Sequence, residues 1–408
     1  MLPRGSVTTK AARCSRPGCC RLTAVEGARG NSIALSEFEV HHRICRSGPP
    51  APRHDPGVTV HPDVPPGTDP PVEYGWSEQI AERFADNDIQ GTPGRIVRVG
   101  RGHGDAVTSA GPLRVRTAGH HVCTGDWVIV REPATEGDTI GTVCAVLPRT
   151  GAIRRADASG RSEEQVLAAN VDTVVVTVAS DTLDLGRMER LLALAWDSGA
   201  QPVVALTKVD LATEAVFEQV AVLAPGASVV EVCAPDRSGL SELRALLHGT
   251  VVFVGASGAG KSTLVNALCG RDVQATAPVR QGDGKGRHTT TDREMFPLGG
   301  GVTLIDTPGL RGVGMWDAGA GIASAFPEID DLAQYCRFTD CAHESEPGCA
   351  VRAAVDCGDL DARRVESHRK LRRENEWIAA RSDARLRHER TREIKVMSRA
   401  IRAYYRDR

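Results

Sequence analysis

The sequence predicts a multidomain α/β protein, and three observations lead there. Five short alternating apolar runs crowd into residues 95–146, and long β-branched runs alternate with helical patterns across residues 171–305. A dense cysteine–histidine knot follows at 336–349. The 408 residues are enough for two or three domains at about 100–200 residues each. A formal net charge of −2 excludes a globally basic nucleic-acid protein. No window approaches the roughly 18 consecutive apolar residues of a membrane span, so no membrane partner is expected. The N-terminus lacks the unbroken apolar stretch of a secretory signal, which makes the cytoplasm the expected compartment. In a reducing compartment a close group of thiols among the twelve cysteines points to metal rather than to disulfides.

Residues 1–72 hold 11 of the 23 prolines and little hydrophobic periodicity, so this tail is expected to be disordered. Its Cys14, Cys19, Cys20, His41, His42 and Cys45 match no compact metal-ligand spacing. The next region, 73–150, opens with an amphipathic helix over Tyr74–Phe84. Short strands follow at Arg95–Val99, Ala106–Thr108, Leu113–Thr117, Asp126–Arg131 and Thr139–Val146. Five strands in about 55 residues is the size of a small OB-like β-barrel. Such barrels bind oligonucleotides or serve simply as packing modules, and the strand pattern leaves both open.

Beyond Asn170 the period changes. Val171–Val178, Pro202–Leu206, Ser228–Val232, Thr250–Val254 and Val302–Ile305 read as buried parallel strands, with Leu185–Asp197 as a crossover helix. Region 151–315 is therefore expected to be a doubly wound sheet. Within it, Gly255, Ala256, Ser257, Gly258, Ala259, Gly260, Lys261 and Ser262 satisfy G-x4-G-K-[ST], entered by an apolar strand and left by a helix through Thr263. The glycines let backbone N–H groups converge on phosphate oxygens, and the helix N-terminus adds positive partial charge. Lys261 would reach the β- and γ-phosphates and the Ser262 hydroxyl a magnesium ion. About 45 residues later Asp306-Thr-Pro-Gly309 closes a strand in the D-x-x-G form; its carboxylate would orient magnesium and the Gly309 N–H would meet the γ-phosphate.

Thr207, Lys208, Val209 and Asp210 close the Pro202–Leu206 strand. The Asp210 carboxylate can accept from guanine N1–H and the exocyclic amine, donors that adenine does not present in that pattern. Lys208 can lay its stem on the base and tie this turn to the phosphate loop. Cys233 and Ala234, after the next strand, fit the backbone element that backs guanine O6. The base motif thus precedes the phosphate loop by about 45 residues, the reverse of the usual order, as in a circular permutation. Between the loop and Asp306 lies QGDGKGRHTTT, whose Thr290 or Thr291 would supply a hydroxyl to magnesium and γ-phosphate. Leu310 stands where a water-orienting Gln occurs in Ras-like enzymes, which predicts slow intrinsic hydrolysis. For His288 three roles stay open: positioning water, contacting RNA, or filling the loop.

The region 316–408 carries Cys336-x4-Cys341-x-His343-x5-Cys349, three thiols and one imidazole, the closed ligand set of a structural zinc. Residues 361–408 then contain 16 Lys/Arg against eight Asp/Glu, a helix able to bind phosphate backbone or merely to be solvated.

Taken together, LPRTGAIRRADASGRSEEQVLAANVDTV, TKVD, GASGAGKST, GRHTTT, DTPG and the cysteine knot, in this order, resemble the ribosome small subunit-dependent GTPase A family (RsgA-like, circularly permuted) over Tyr74–Arg373. The resemblance implies an N-terminal OB-like barrel, a central circularly permuted P-loop GTPase and a C-terminal zinc-binding helical domain. It further implies GTP/GDP and magnesium as ligands, one structural zinc, the 30S subunit and 16S rRNA as partners, and subunit-stimulated hydrolysis during late assembly. A monomer is expected. The alternative is a GTP-regulated RNA-binding module in which occupancy rather than hydrolysis controls docking.

Overall fold

The structure, a computed structural model, describes residues 71–133, 139–156, 164–211, 214–270, 293–306 and 318–382. It opens with a 3-10 turn at Val72–Tyr74, stopped by Gly75 at φ 86°, and the helix α1 at Glu78–Ala85. The helix expected over Tyr74–Phe84 begins later, at Glu78, because the left-handed Gly75 stops the 3-10 turn that ends at Tyr74.

Five strands follow: β1 (Thr92–Val99), β2 (His103–Thr108), β3 (Gly111–Arg116), β4 (Trp127–Arg131) and β5 (Ile140–Val146). Pairing runs β1-β2-β3-β5-β4, and β4 returns to β1, closing an OB-like barrel. Alternation explains its interior: Ile96, Ala106, Val115, Val128, Val130 and Val143 all point inward and pack together. Trp127 and Ile129 face the other way and are covered by Ile80 of α1, with Trp76 edge-on to Trp127 at 5.2 Å.

A hairpin of β6 (Ala152–Ala156) and β7 (Glu164–Ala169) leads into the second unit. There β8 (Thr173–Ala179), helix α2 (Leu185–Asp197), β9 (Gln201–Thr207), α3 (Glu214–Leu223), β10 (Ser228–Val232), α4 (Leu240–Leu246), β11 (Thr250–Gly255) and α5 (Lys261–Cys269) alternate, followed by β12 (Glu294–Gly299) and β13 (Val302–Asp306). The strand order is β10-β9-β8-β11-β13-β12, parallel except for the antiparallel β12. Every residue of β8 and β11 is buried, as apolar, mostly β-branched runs require when helices cover both faces. The hairpin and β12 escaped sequence prediction. Arg154, Arg155 and Gln165 interrupt the apolar pattern of the first, and Pro297 sits at a register shift in the second.

The two units share one sheet through a single rung, Arg98 of β1 opposite Glu294 of β12. A buried arginine reinforces it: Arg95 of β1, 2% exposed, lies 4.5 Å over the Trp127 ring and donates to Thr250 Oγ1 of β11 at 2.8 Å.

The C-terminal part comprises α6 (Gly319–Ala325), α7 (Pro327–Ala333), α8 (Ala350–Cys357) and α9 (Ala362–Ser382). It is clamped to α2 by the fully buried Glu189, which accepts from Arg363 Nη2 and from Arg364 Nη1, each at 2.9 Å. Arg364 also donates to Glu328 at 2.5 Å and to Ala325 O at 2.6 Å, and lies 4.3 Å over Phe326. A buried charge is tolerated because each of its partners is satisfied at once. Among the described residues no helix is long and apolar enough to cross a membrane.

Candidate functional site

The parallel strands β8, β9, β10, β11 and β13 end along one edge at Ala179, Thr207, Val232, Gly255 and Asp306. From β8 the chain steps outward to β9 and β10, then crosses back to place β11 on the other side of β8. That reversal opens a crevice at the carboxyl ends of β8 and β11, the usual place for a ligand in an open α/β sheet.

The turn after β11 occupies this crevice. Gly255 must be glycine, since a Cβ there would lie 2.5 Å from the Thr177 carbonyl of β8. Gly258 and Gly260 hold φ of 78° and 84°, left-handed values that turn successive N–H groups inward ahead of α5. Lys261, first residue of α5, curls back to donate to Gly255 O at 3.0 Å and Ala256 O at 2.6 Å, so its ammonium lies across the mouth of the turn. Ser257 and Thr263 are exposed, Ser262 is half-buried and Ala259 is packed away at 1% exposure.

The end of β9 joins the same turn. The buried Thr207 hydroxyl donates to Ala259 O at 2.8 Å. A residue of the base motif therefore supports the phosphate loop, a tie that the sequence reading gave to Lys208. Lys208 instead adopts φ 57°, has its carbonyl held by Ser180 Oγ at 2.6 Å, and donates from Nζ to Asp181 at 2.8 Å. That hydrogen bond draws the Asp181 carboxyl below its usual range. A 3-10 turn at Val209–Leu211 follows, presenting Asp210 to solvent. The buried Cys233, just after β10 and beside Ala234, points its thiol at Asp210 Oδ1 from 3.8 Å. The sequence marked Cys233 for its backbone alone; side-chain contact with Asp210 follows from strand register, which residue spacing does not encode.

Asp306 ends β13, half-buried, opposite Glu294 of β12. Burial first, and the neighbouring Glu294 second, push its carboxyl up to about 6, while Lys261 pulls it down. Glu294 is a neighbour the sequence reading missed, because β12 itself was unrecognised. Thr207, Lys208, Val209, Asp210, Cys233, Ala234, the turn from Gly255 to Thr263, and Asp306 thus share one edge. His288, Thr290, Thr291 and Gly309 lie outside the described residues.

The cysteine knot sits apart, between α7 and α8. Ligand atoms of Cys336, Cys341, His343 and Cys349 all lie within 4.8 Å of one another. Cys336 Sγ is 3.8 Å from Cys349 Sγ and 3.6 Å from His343 Nδ1, which is 3.5 Å from Cys349 Sγ. Tetrahedral zinc with bonds of about 2.3 Å to sulfur and about 2.05 Å to nitrogen sets these edges near 3.8 and 3.55 Å. The residues fit that ion. The first amides of α8 support the set, with Arg352 N donating to Cys349 Sγ at 3.4 Å.

A glycine-rich turn at the switch point, with a base-motif strand preceding it in the chain, defines a P-loop GTPase with circularly permuted strands. A family model described as RsgA GTPase matches residues 146–316. The small ribosomal subunit biogenesis GTPase RsgA of Streptomyces avermitilis is 53% identical over 335 residues, covering 78% of this chain and 90% of that protein. Its namesake from Opitutus terrae is 46% identical over 271 residues, 64% of this chain and 74% of its own. The crystal structure of YjeQ from Thermotoga maritima shares the fold at a TM-score of 0.51 and 23% identity, covering 70% of this chain and 98% of that one. YloQ, described as a circularly permuted GTPase, does so at 0.50 and 20%, over 71% and 96%. The chain belongs to the RsgA family and is a GTP hydrolase.

Proposed function

We propose that this GTPase acts in late assembly of the 30S ribosomal subunit, binding 16S rRNA through its flanking units and hydrolysing GTP when the subunit stimulates it. The feature that supports the nucleotide half is the Thr207–Ala259 hydrogen bond of 2.8 Å, which fixes base motif and phosphate loop in one crevice. There Asp210 reads the guanine N1–H and amine, Cys233 and Ala234 back its O6, and the Gly255–Gly260 turn with Lys261 holds the phosphates. Ser262 and Asp306 orient magnesium, which supplies charge neutralisation at the β- and γ-phosphates. Lys208, anchored on Asp181, fixes the backbone from which Asp210 projects. The hydrolytic water falls to His288, Thr290 or Thr291, and Gly309 meets the γ-phosphate.

Support for RNA contact comes from the barrel. Arg98 of β1, Asp105 and His103 of β2, and Arg114 and Arg116 of β3 are lateral or i,i+2 neighbours, so they share one outer face. Four of these five side chains are arginine or histidine, and Arg98, Arg114 and Arg116 are exposed. Cys336, Cys341, His343 and Cys349 hold one structural zinc, and the protein works as a cytoplasmic monomer.

The test is GTP turnover with and without purified small subunits, using the wild type and Asp210→Asn. An asparagine amide matches the 2-oxo group of xanthine and mismatches the guanine amine, so the variant is expected to lose GTP turnover about 100-fold and gain XTP turnover. A variant that still prefers GTP would remove Asp210 from the base site. Wild-type turnover indifferent to small subunits would remove the ribosomal role.

A further inference from the structure

The loop Cys123–Asp126 belongs to the barrel, yet it touches the GTPase unit at Ile305, which adjoins Asp306, and at Arg293, which adjoins Glu294. On the barrel side it is rigid. The fully buried Asp126 carboxylate accepts from Cys123 N at 2.6 Å and from Arg149 Nε at 2.7 Å, and Gly125 N donates to Ile96 O of β1 at 2.8 Å. On the other side Ala169 N donates to Thr124 O at 3.0 Å, and Asn170 Nδ2 to Gly125 O at 2.9 Å. Gly125, at φ 93°, is pressed so close that a Cβ would collide with Ala169 O and sit 3.0 Å from Ile305 Cδ1. Ile305 is the residue before Asp306. The Thr124 hydroxyl, buried at 2% exposure, donates to Arg293 O at 3.4 Å. Arg293 is the residue before Glu294, which is flanked by Arg98 of the barrel on one side and Asp306 on the other.

We propose that Thr124 is a positioning residue for GTP hydrolysis: by holding the start of β12 it sets Glu294 against Asp306, and so ties the barrel to the divalent-cation requirement of the reaction. It rests on the assignment of Asp306 as the magnesium-orienting carboxylate. A second carboxylate held near the first raises its affinity for any cation, proton or metal. Freeing β12 lets that field relax, and more magnesium is then needed to organise the site.

The experiment measures magnesium dependence of fluorescent-GDP binding and of GTP turnover in full-length wild type, Thr124→Val, Thr124→Ser and Asp306→Ala, with and without small subunits. Thr124→Val removes the hydroxyl at nearly constant volume. It is expected to raise the magnesium concentration for half-maximal rate about fivefold, the scale of one lost hydrogen bond, and to reduce subunit stimulation. The thermal midpoint falls by no more than a few degrees, the GTP KM at saturating magnesium stays as in the wild type, and Thr124→Ser restores both the midpoint and the magnesium curve. A Thr124→Val enzyme with an unshifted magnesium midpoint overturns the proposal, as does one whose rate merely falls in proportion to lost folded protein. If Asp306→Ala keeps the wild-type magnesium curve, the assignment of Asp306 fails first; if Asp306→Ala loses it while Thr124→Val does not, only the role of Thr124 falls.

Discussion

Replacing Asp306 by asparagine should stabilise the nucleotide-free protein while abolishing its magnesium-dependent hydrolysis. Its carboxyl is raised from the ordinary 3.8 to about 6 by burial and by Glu294. Roughly two pH units at about 1.36 kcal/mol each amount to about 3 kcal/mol. The folded chain keeps a proton that the unfolded chain has released between the two values. Stability therefore falls as pH rises through that window, and by neutrality the whole penalty is in force. Asparagine is neutral and nearly isosteric. Without nucleotide or magnesium, Asp306→Asn should exceed the wild type by up to about 3 kcal/mol at about pH 7.5, with the advantage gone near pH 4. For a unit of this size that is several degrees in the thermal midpoint, read by calorimetry across a pH series. Equal midpoints at every pH would mean that Asp306 ionises without cost, and the electrostatic picture of the crevice would be wrong.

Three further perturbations probe other parts of the molecule. Thr207→Val strands the Ala259 carbonyl, and stopped-flow with a fluorescent GDP should find affinity lowered about tenfold, the cost of one unpaired buried acceptor. Cys341→Ala should drop zinc from one equivalent per chain to none by atomic absorption and lower the unfolding midpoint. Because the knot lies between α7 and α8 rather than at the strand ends, GDP affinity should stay within about twofold. Glu189→Ala leaves Arg363 and Arg364 without their shared buried anion, and denaturant unfolding should register a loss of about 3–5 kcal/mol.

The central strands and phosphate turn were legible because their chemistry is local. Valine-rich, wholly buried runs in β8 and β11 admit little but a buried parallel strand, and Gly255–Ser262 carries its own backbone requirement. The knot was legible for the same reason, four soft ligands within fourteen residues. What stayed hidden is what long-range pairing creates. Glu294 acquires meaning only once β12 lies beside β13, and Pro297 disguises that strand. The Thr207 hydroxyl reaches a carbonyl 52 residues away, and Arg364 meets Glu189 across 175. No periodicity reports such distances.

Arg95 has a consequence for anyone wishing to exchange the barrel between relatives. Its guanidinium, rooted in one unit, is fully enclosed and terminates on a hydroxyl of the other, with burial lowering its pKa to about 10 and Asp172 and Asp126 opposing that. A transplanted barrel bearing this arginine against a foreign sheet would seal a cation away from water with no acceptor to meet it. Chimeras should fold only when Arg95, Trp127, Asp172 and Thr250 travel as a set, so the barrel and the sheet form one exchangeable piece rather than two.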